Sequence, residues 1–194
     1  MVKNTNHVMV DVECLSLRPD AVILSIGAVQ FNPWHIDDWA SLSLPSRSFY
    51  SALPMEIQIE EFGGHISAYT LAWWFRQLPD AQSVFEETTK IKNHHLHERL
   101  LAFTQFTGTT LDGLWATPSH FDYPKLDWLF DKCGIQFPCP YYRIHCGMSL
   151  KQLADPNGDR LEVYVPPGFT THNALDDAKK QALQVQQCLR LLKS

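Results

Sequence analysis

Two acidic residues, Asp11 and Glu13, stand one residue apart near the N-terminus. Three valines alternate with the residues around this pair, which predicts a β-strand over His7 to Cys14. Side chains two positions apart on a strand share a face. The two carboxylates therefore point the same way, roughly 7 Å apart along the strand. Such pairs also occur on exposed strand faces, so a functional interpretation requires further acids to join them.

The negative charge of this pair needs compensation. A strand this apolar is expected to be central in its sheet and covered on both faces. Two like charges on a covered face lose hydration and repel each other, at a cost of several kcal/mol per ion. No lysine or arginine stands between Lys3 and Arg18, so a basic partner is missing nearby in the sequence. The pattern favours a divalent cation, and hard Mg²⁺ or Mn²⁺ prefers carboxylate oxygens.

A third acid, Asp122, follows an apolar segment at 114–116 that is predicted to be a strand. It precedes a predicted helix that has Pro124 in its first turn. Two interpretations fit this position. Asp leads the ranking of helix N-cap residues, which would give Asp122 a structural role. Junctions between strands and helices are also where α/β sheets place ligands, which would give it a role in a site.

A fourth group lies in the segment 171–178, at the start of the last predicted helix. Asp176 and Asp177 suit a first helical turn because they complement the helix dipole. If the apolar stripe of this helix faces inward, Asp177 lies roughly 110° from its centre and Asp176 roughly 150°. Asp177 is therefore the predicted inward ligand. His172 precedes the helix, and a pKa near neutrality suits it to act as a general base.

Length and composition bound the class of protein. The 194 residues suffice for one sizeable core, so residues 1–194 are predicted to form a single domain. With 45% hydrophobic and 19% charged residues, the chain is expected to be globular. The net charge of −5 excludes a protein that coats nucleic acid through a broad basic surface. It is compatible with an enzyme that grips a short end, because bound cations neutralise an acidic pocket.

The cysteines and the apolar segments bear on location. The five cysteines are odd in number and form no C-x-x-C pair, so a disulfide framework is not expected and a cytoplasmic location is predicted. The N-terminus lacks a signal-peptide pattern, and no apolar run approaches the ~20 residues that span a bilayer, so no membrane partner is expected.

The order of the predicted elements indicates an α/β fold with a mixed sheet. A short turn separates the first two strands, which are expected to form an antiparallel hairpin. Helices then alternate with two further strands. The predicted strands are 7–14, 21–31, 47–52, 114–116 and 141–145; the predicted helices start near 69 and cover 80–87, 94–106, the segment after Asp122, 148–154 and 174–192, and 53–68 is predicted to be irregular.

The predicted helix near Tyr69 contains two adjacent tryptophans with different expected positions. Its apolar stripe consists of Leu71, Trp74, Phe75 and Leu78. At 100° per residue, Trp73 lies on the opposite side. Because aromatic residues favour interfaces, we assign Trp73 to an interface or a second core layer rather than to a stacking platform. An interface of this kind would permit a homodimer.

A histidine cluster at His94, His95 and His97 invites a zinc interpretation. Only His94 and His97 share a helix face, however, and no cysteine completes a tetrahedral set of ligands. A zinc site is therefore not predicted from this cluster.

The acids and the histidine occur in a recognisable order. The motifs are D-x-E at Asp11 and Glu13, F-D at Phe121 and Asp122, and H-N-A-L-D-D-A from His172 to Ala178. This order resembles the DEDD superfamily of 3′–5′ exonucleases, in its histidine-bearing variant. Two further stretches, residues 23–33 and Thr70-x-x-Trp73-Trp74-x-x-Gln77, resemble the branch that contains T-even phage exodeoxyribonuclease and a mycobacterial 3′–5′ exoribonuclease.

The resemblance implies an RNase H-like fold, with a mixed five-stranded sheet flanked by helices. It implies removal of nucleoside 5′-monophosphates from the 3′ end of single-stranded DNA or RNA, with His172 as the proton acceptor. Two Mg²⁺ or Mn²⁺ ions are implied. Their expected ligands are Asp11, Glu13, Asp122 and Asp177.

Three residues next to the acids, Cys14, Leu15 and Phe121, are candidates to contact the terminal nucleotide. A competing hypothesis keeps the fold without catalysis, as a nucleic-acid-binding or adaptor module, because fold does not determine function. A proofreading subunit of a larger assembly is a second alternative. The presence of all four acids together with His172 favours the enzyme.

Overall fold

The computed structural model describes residues 6–108 and 111–193. Its strands are β1 His7–Cys14, β2 Ile23–Phe31, β3 Ser48–Ala52, β4 Gly113–Ala116 and β5 Ile144–Cys146. They form one sheet with the order β3-β2-β1-β4-β5. β2 pairs antiparallel with β1 and β3, whereas β4 pairs parallel with β1 and β5. The predicted mixed sheet, the hairpin and the central place of β1 are confirmed.

Helices cover both faces of this sheet. They are α1 Trp39–Leu42, α2 Met55–Glu60, α3 Ala68–Trp74, α4 Pro79–Thr89, α5 His95–Thr107, α6 Ser119–Lys132, α7 Gly147–Ala154 and α8 Ala174–Leu191, and a short 3-10 helix spans Tyr141–Arg143. Across residues 6–108 and 111–193, no helix has both the length and the apolar character needed to cross a bilayer.

The alternating side chains of β1 enter two different cores. Its three valines lie in a buried cluster with residues of α5 and α6. Met9 lies in the cluster on the opposite face, with Ala178 and Ala182 of α8. Because side chains alternate along a strand, Asp11 and Glu13 share the face of Met9 and point toward α8.

A glycine in β2 lets α8 approach the sheet closely. Gly27 pairs with Asp11 in the register of the hairpin. A Cβ at position 27 would overlap the backbone of Ala174, the first residue of α8. The start of α8 therefore rests directly on the sheet beside Asp11, as a strand glycine often permits.

The segment between β3 and α4 differs from its prediction. Residues 53–68, predicted to be irregular, contain α2. The Gln58 side chain of α2 is fully buried. It accepts a hydrogen bond from the Ile23 amide at 2.8 Å and donates one to the Ile23 carbonyl at 2.9 Å. A buried polar contact with β2 therefore adds to the packing of Met55 and Ile57 in holding this helix, and the pattern of apolar residues alone did not predict it.

Of the apolar stripe predicted for the helix near Tyr69, Leu71 and Trp74 pack in the core but Phe75 and Leu78 do not. The helix ends at Trp74, which is buried. Phe75 and Leu78, predicted to be buried, lie beyond its end and are 78% and 74% exposed. A helical stripe cannot extend past the last helical residue, so these two side chains do not reach the core.

Two element boundaries near the site also differ from the prediction. The strand predicted at 141–145 begins only at Ile144, because Tyr141–Arg143 forms the 3-10 helix. α6 begins at Ser119 after the N-cap Pro118. Asp122 therefore lies inside the helix, and its interpretation as an N-cap residue is wrong.

Candidate active site

The C-terminal end of β1 brings the first two acids beneath α8. Gln181 of α8 donates a hydrogen bond from Nε2 to Asp11 Oδ1 at 2.7 Å. Glu13 is buried. Its carboxylate and the ligand atoms of His172 and Asp177 all lie within 4.8 Å of one another. One strand, together with α8 and the turn that precedes it, thus places three acids and a histidine together.

Asp122 reaches the same place from α6. Its Oδ1 accepts a hydrogen bond from the Val12 amide, between Asp11 and Glu13, at 3.3 Å. Pairing of β1 with β4 covers only positions 7–9 of β1, so β4 does not compete for this amide. Asp122 is 2% exposed, and its Oδ2 has no hydrogen-bond partner within the described ranges. A buried carboxylate oxygen without a partner calls for a proton or a cation.

The start of α8 fixes Asp177 and His172 relative to each other. Asn173 caps the helix by accepting hydrogen bonds from the Leu175 and Asp176 amides. Asp177 Oδ2 accepts a hydrogen bond from the His172 amide at 2.7 Å. His172 has a φ of 65°, in the left-handed region that non-glycine residues seldom adopt. The capped turn and the Asp177 carboxylate together hold this unusual backbone.

The neighbouring Asp176 turns away from the other acids. Its carboxylate accepts a hydrogen bond from the Thr170 amide at 3.1 Å and pairs with Lys179 at 3.3 Å. Asp177 lines the cavity that also contains Asp11, Glu13 and Asp122. The structure thus places Asp177 inward and Asp176 outside the cavity, as the helical phase predicted.

The acids line one cavity of about 570 Å³. Its wall consists of Asp11, Val12, Glu13, Cys14, Ser16, Leu17, Tyr69, Thr70, Trp73, Thr117, Pro118, Phe121, Asp122, His172, Asp177 and Gln181. It is open to solvent, and residues 11–14 at the C-terminal end of β1 contribute to its wall. The four acids and the histidine predicted from the sequence therefore surround a single space.

Two of the three predicted nucleotide contacts lie on this cavity. Cys14 and Phe121 contribute to its wall. Lys125, which is 1% exposed, fixes Phe121: its Nζ lies 3.2 Å from the ring centroid and donates to the Phe121 carbonyl at 2.7 Å. Leu15 does not line the cavity, because it is buried in a cluster with Val22 and Trp74.

Trp73 lies at the cavity wall next to the histidine. Its ring centroid is 4.7 Å from that of His172, in an edge-to-face arrangement, and 5.1 Å from that of Trp74. Trp74 Nε1 donates to the Cys14 carbonyl at 3.0 Å, which ties α3 to the end of β1. Trp73 is thus both part of the site wall and packed against the core cluster beneath it.

The histidine cluster lies elsewhere and has its own contacts. The His94 and His95 ring centroids are 4.1 Å apart, and His95 Nδ1 lies 2.9 Å from Glu98 Oε2. Among the residues the structure describes, the grouping with metal-ligand spacing is Glu13, His172 and Asp177 at the cavity.

The pKa values of the site acids on β1 and α6 are raised. Burial, followed by the charges of Asp122, Glu13 and Asp177, raises the pKa of Asp11 well above its usual range, although the Gln181 hydrogen bond opposes this. Burial and the neighbouring Asp177 and Asp122 raise the pKa of Glu13 to about 8. Burial raises the pKa of Asp122 to about 7, against the Val12 amide and Lys125.

Asp177 and His172 shift in opposite directions. Burial raises the pKa of Asp177, partly offset by the His172 amide. Burial lowers the pKa of His172, with the Asp177 charge acting against it. A lowered pKa keeps the imidazole neutral at neutral pH, which a proton acceptor requires.

The residues present fit a divalent cation. Four carboxylates surround one cavity, the pKa values of all four are raised, and Asp122 Oδ2 lacks a partner in the described part of the chain. Oxygen-only donors of this kind suit Mg²⁺ and Mn²⁺. A cation would lower all four pKa values and satisfy the orphan oxygen.

Gln181 is a site residue that the sequence motifs do not include. It stands four residues after Asp177, and residues at this spacing share one helix face. Besides donating to Asp11, it has a buried Oε1 without a hydrogen-bond partner within residues 6–108 and 111–193. The sequence contained one signal for this role: Gln181 is a polar residue one helical turn after Asp177, the acid predicted to face inward.

Comparison with solved structures finds the same architecture at low sequence identity. The structure of Exonuclease X in complex with 5′ overhanging duplex DNA has 15% identity and a TM-score of 0.55, over 95% of this chain and 91% of that one. The nuclease domain of 3′hExo, a DEDDh family member bound to rAMP, has 12% identity and a TM-score of 0.57, over 98% and 94%. The Mg²⁺- and Mn²⁺-bound form of S. pombe Pop2p has 12% identity and a TM-score of 0.54, over 95% and 83%. These likenesses confirm the RNase H-like exonuclease fold.

Sequence comparison identifies the family. No curated protein matches the chain. The profile of the Rv2179c-like 3′-5′ exoribonuclease domain matches residues 6–189, which is nearly the whole chain. The predicted enzyme class, a 3′–5′ exonuclease, is thereby confirmed, and the chain belongs to the Rv2179c-like 3′-5′ exoribonuclease domain family.

Proposed function

We propose that this chain shortens single-stranded RNA or DNA from the 3′ end, releasing nucleoside 5′-monophosphates by hydrolysis that depends on two divalent cations. The observation that carries the proposal is the convergence on one open cavity of His172 and four carboxyl groups whose pKa values are all raised. A set of charges this concentrated destabilises the fold unless cations bind, so its presence points to a function.

Each side chain has a proposed role. Asp11, Glu13, Asp122 and Asp177 would hold the Mg²⁺ or Mn²⁺ ions. Two such ions, when bound, lower the pKa of a water and stabilise charge on the attacking and leaving oxygens. Gln181 orients Asp11 through its 2.7 Å hydrogen bond. His172, whose pKa is lowered by burial and which lines the cavity, would accept the proton of the attacking water.

The remaining walls would hold the terminal nucleotide. Phe121 offers a ring for the base or sugar and is fixed by Lys125. Cys14 would contact the nucleotide as a neutral group, because burial raises the pKa of its thiol to about 12. Leu15, buried behind this surface, would support Cys14 rather than touch the substrate.

Two further features belong to the proposal. All five cysteines are free thiols, which fits a reducing cytoplasm. The whole chain, residues 1–194, would act as a single domain. A homodimer stays a prediction that sedimentation velocity would test.

The test is a digestion with end-labelled strands. Single-stranded RNA, single-stranded DNA and duplexes, each labelled at the 5′ or the 3′ end, are incubated in chelator, Mg²⁺ or Mn²⁺. We expect 3′ label to appear first as a nucleoside 5′-monophosphate and 5′-labelled strands to shorten stepwise, in cations only. Asp11→Ala should be inactive and remain folded.

Three outcomes would contradict the proposal. They are cleavage that persists in chelator, cleavage by Asp11→Ala at the parent rate, and tight strand binding without any cleavage. The last result would indicate the non-catalytic binding module instead.

A further inference from the structure

The segment that carries His172 is anchored by a side chain three residues upstream, at Phe169. The Phe169 ring packs edge-to-face against Trp39 of α1, with 5.8 Å between the ring centroids and an interplanar angle of 77°. From α8, Lys180 Nζ lies 5.2 Å from the centroid of the same ring. One side chain of the segment before α8 therefore contacts two helices at once.

The two helices that Phe169 contacts are also fixed to each other. Leu42 of α1 is fully buried in a core cluster that includes residues of α8. Lys179 of α8, which is buried, has its Nζ 5.2 Å from the centroid of the Trp39 ring. The surface on which Phe169 packs is thus part of the folded core. These residues are called the Phe169 cluster: Trp39, Phe169, Lys179 and Lys180.

The backbone between Phe169 and His172 is short and hydrogen-bonded. The Thr170 amide donates to the Asp176 carboxylate at 3.1 Å. The Thr170 carbonyl accepts a hydrogen bond from the Asn173 amide at 3.2 Å. A displacement of Phe169 is therefore expected to move His172, because the turn that joins them is tied to the start of α8.

His172 requires an anchor of this kind for two reasons. Its φ of 65° lies in the left-handed region, and residues other than glycine keep this conformation only where the surrounding structure holds them. Its amide is bound at 2.7 Å by the carboxylate of Asp177, which is also a proposed cation ligand. The contacts of Phe169 hold the same segment without using any of the four acids of the cavity.

We propose that Phe169, held by Trp39 and Lys180, is a positioning residue that keeps His172 oriented at the cavity wall. This inference rests on the proposed function, because it takes His172 as the proton acceptor. Of the described residues that wall the cavity, none belongs to the Phe169 cluster. We therefore expect Phe169 to affect catalysis through His172 rather than through contact with the strand.

Another aromatic residue of the same segment provides a matched control. Tyr164 stands five residues before Phe169 and is 71% exposed, and its ring has no aromatic neighbour in the part of the chain that the structure describes. If aromatic residues of this segment only stabilised the fold or served no function, Tyr164→Ala and Phe169→Ala would differ in melting temperature alone. A positioning role makes them differ in turnover as well.

The first test is steady-state cleavage of a 3′-labelled single strand in saturating Mn²⁺, below the melting temperature of every variant. Phe169→Ala should lower kcat about 10- to 100-fold, as for a catalytic group misplaced by ~1 Å, with KM within about twofold of the parent. Phe169→Tyr, which keeps the ring and its cation–π contact, should stay within about threefold of the parent, and Tyr164→Ala should match it. If Phe169→Ala does not fold, Phe169→Leu removes both ring contacts at smaller loss of apolar volume.

A double variant separates positioning from stability. In the His172→Ala background, Phe169→Ala should cause no further loss of kcat, because no imidazole is left to position. A residue that only stabilises the fold would lower kcat by the same factor in both backgrounds.

The second test measures the imidazole itself by NMR, in chelator and without substrate. The His172 ring lies edge-to-face with Trp73, at 4.7 Å between centroids, so the tryptophan ring current shifts its signals. These signals are assigned by their loss in His172→Ala. Phe169→Ala should move them toward the shifts of a free histidine, whereas Tyr164→Ala should leave them in place.

Any one of three results would overturn the positioning role while leaving the proposed function intact. They are an unchanged kcat in Phe169→Ala, unchanged His172 signals in that variant, and an equal fold-loss of kcat in the parent and His172→Ala backgrounds. Absence of cleavage by the parent would instead overturn the proposed function. The His172 signals alone would then decide whether Phe169 positions the imidazole.

Discussion

The two ends of β1 each border a cavity, and the cavities are of similar size. The one at the His7 end measures about 610 Å³ and the one at the acid end about 570 Å³. At the His7 end the polar groups pair with one another. Arg47 binds both carboxylate oxygens of Asp37, at 2.8 and 3.0 Å, and Gln186 donates to the same carboxylate at 2.8 Å. His7 Nδ1 accepts a hydrogen bond from Trp115 Nε1 at 3.1 Å.

At the acid end of β1, some buried polar atoms have no hydrogen-bond partner among the described residues. Asp122 Oδ2 and Gln181 Oε1 are buried without partners among the described residues. Burial and the neighbouring acids raise the pKa of Glu13 to about 8. Cavity volume therefore does not identify the functional end of the strand. Buried polar atoms without hydrogen-bond partners distinguish the acid end instead, because a bound ligand can satisfy them.

The largest expected effect on activity comes from neutralising an acid at the acid end of β1, compared with neutralising one at the His7 end. Asp11→Asn should reduce cleavage about a thousandfold or more, since the proposed cations would supply several kcal/mol of transition-state stabilisation. Its melting temperature in chelator should not fall, because one of four repelling carboxylates is removed. Activity assays and thermal denaturation measure the two quantities.

The matched change at the other end is Asp37→Asn. It removes the charge that Arg47 and Gln186 bind, and it should cost about 1.5–3 kcal/mol of stability. Below its melting temperature the variant should cleave at the parent rate. A loss of activity equal to that of Asp11→Asn would show that the two cavities are not functionally distinct.

A second prediction concerns the histidines of the two cavities. His172→Ala should lower kcat by ~10²–10⁴-fold, the usual loss for a general base, while Mn²⁺ affinity measured by calorimetry changes far less. His35→Ala, which removes a histidine that lines the other cavity, should leave both values unchanged. If Mn²⁺ affinity fell as much as kcat in His172→Ala, the histidine would act as a cation ligand instead of a proton acceptor.

The parts of the molecule that follow from sequence are those set by local periodicity. The alternation in β1 predicted both its strand and the shared face of Asp11 and Glu13. The apolar stripe of α8 predicted its extent almost to the residue and distinguished Asp177 from Asp176. In each case the physical cause is the burial of one face, which the sequence records at a fixed spacing.

The errors occur where a tertiary contact decides the structure. α2 is held by hydrogen bonds of Gln58 to the β2 backbone together with the packing of Met55 and Ile57, and this combination leaves no regular apolar spacing in the sequence. Leu15 lies next to the acids in sequence, but the chain turns at the end of β1 and its side chain packs in a core cluster. Gln181 shares a helix face with Asp177, but its contact with Asp11 follows only from the packing of α8 on Gly27. Contacts between residues far apart in the chain leave no periodic trace.

A third, smaller effect is expected at Gln181. Gln181→Met keeps the volume of the side chain but removes the hydrogen bond to Asp11. Loss of such an orienting partner typically weakens metal affinity 10–100-fold, so Mn²⁺ binding by calorimetry should weaken by about this factor. Saturating Mn²⁺ should restore most of kcat, because the ligands themselves are intact.

Gln187→Met is the control for this change, since Gln187 belongs to the same helix and also has a buried, unpaired Oε1 within the described residues. It borders a different cavity, whose wall includes none of the four acids of the candidate site. Its Mn²⁺ affinity should equal that of the parent. Equal weakening in both variants would mean that α8 stability, rather than the orientation of Asp11, controls the site.

The last comparison separates the two ends by the sign with which stability depends on pH. Glu13 has a pKa of about 8 in the folded protein and 4.5 as its ordinary value. Between these values the folded state holds a proton that the unfolded state has released, so stability in chelator falls as pH rises. His7 behaves oppositely: burial lowers its pKa from 6.5 to about 4, so its contribution to stability rises with pH across that window.

Comparing the parent with Glu13→Gln cancels the titrating groups that do not interact with Glu13, and leaves the effect of Glu13 together with its coupling to the neighbouring acids. In chelator the variant should become progressively more stable than the parent from pH 5 to pH 8, by up to ~1.4 kcal/mol per pH unit, or about 2–4 °C in melting temperature for each kcal/mol. Saturating Mn²⁺ should reverse the order at pH 8, because only the parent keeps its full set of carboxylates. A difference in melting temperature that stays constant with pH would show that Glu13 is ionised without a cation, and the acid end would then resemble the His7 end in needing no ligand.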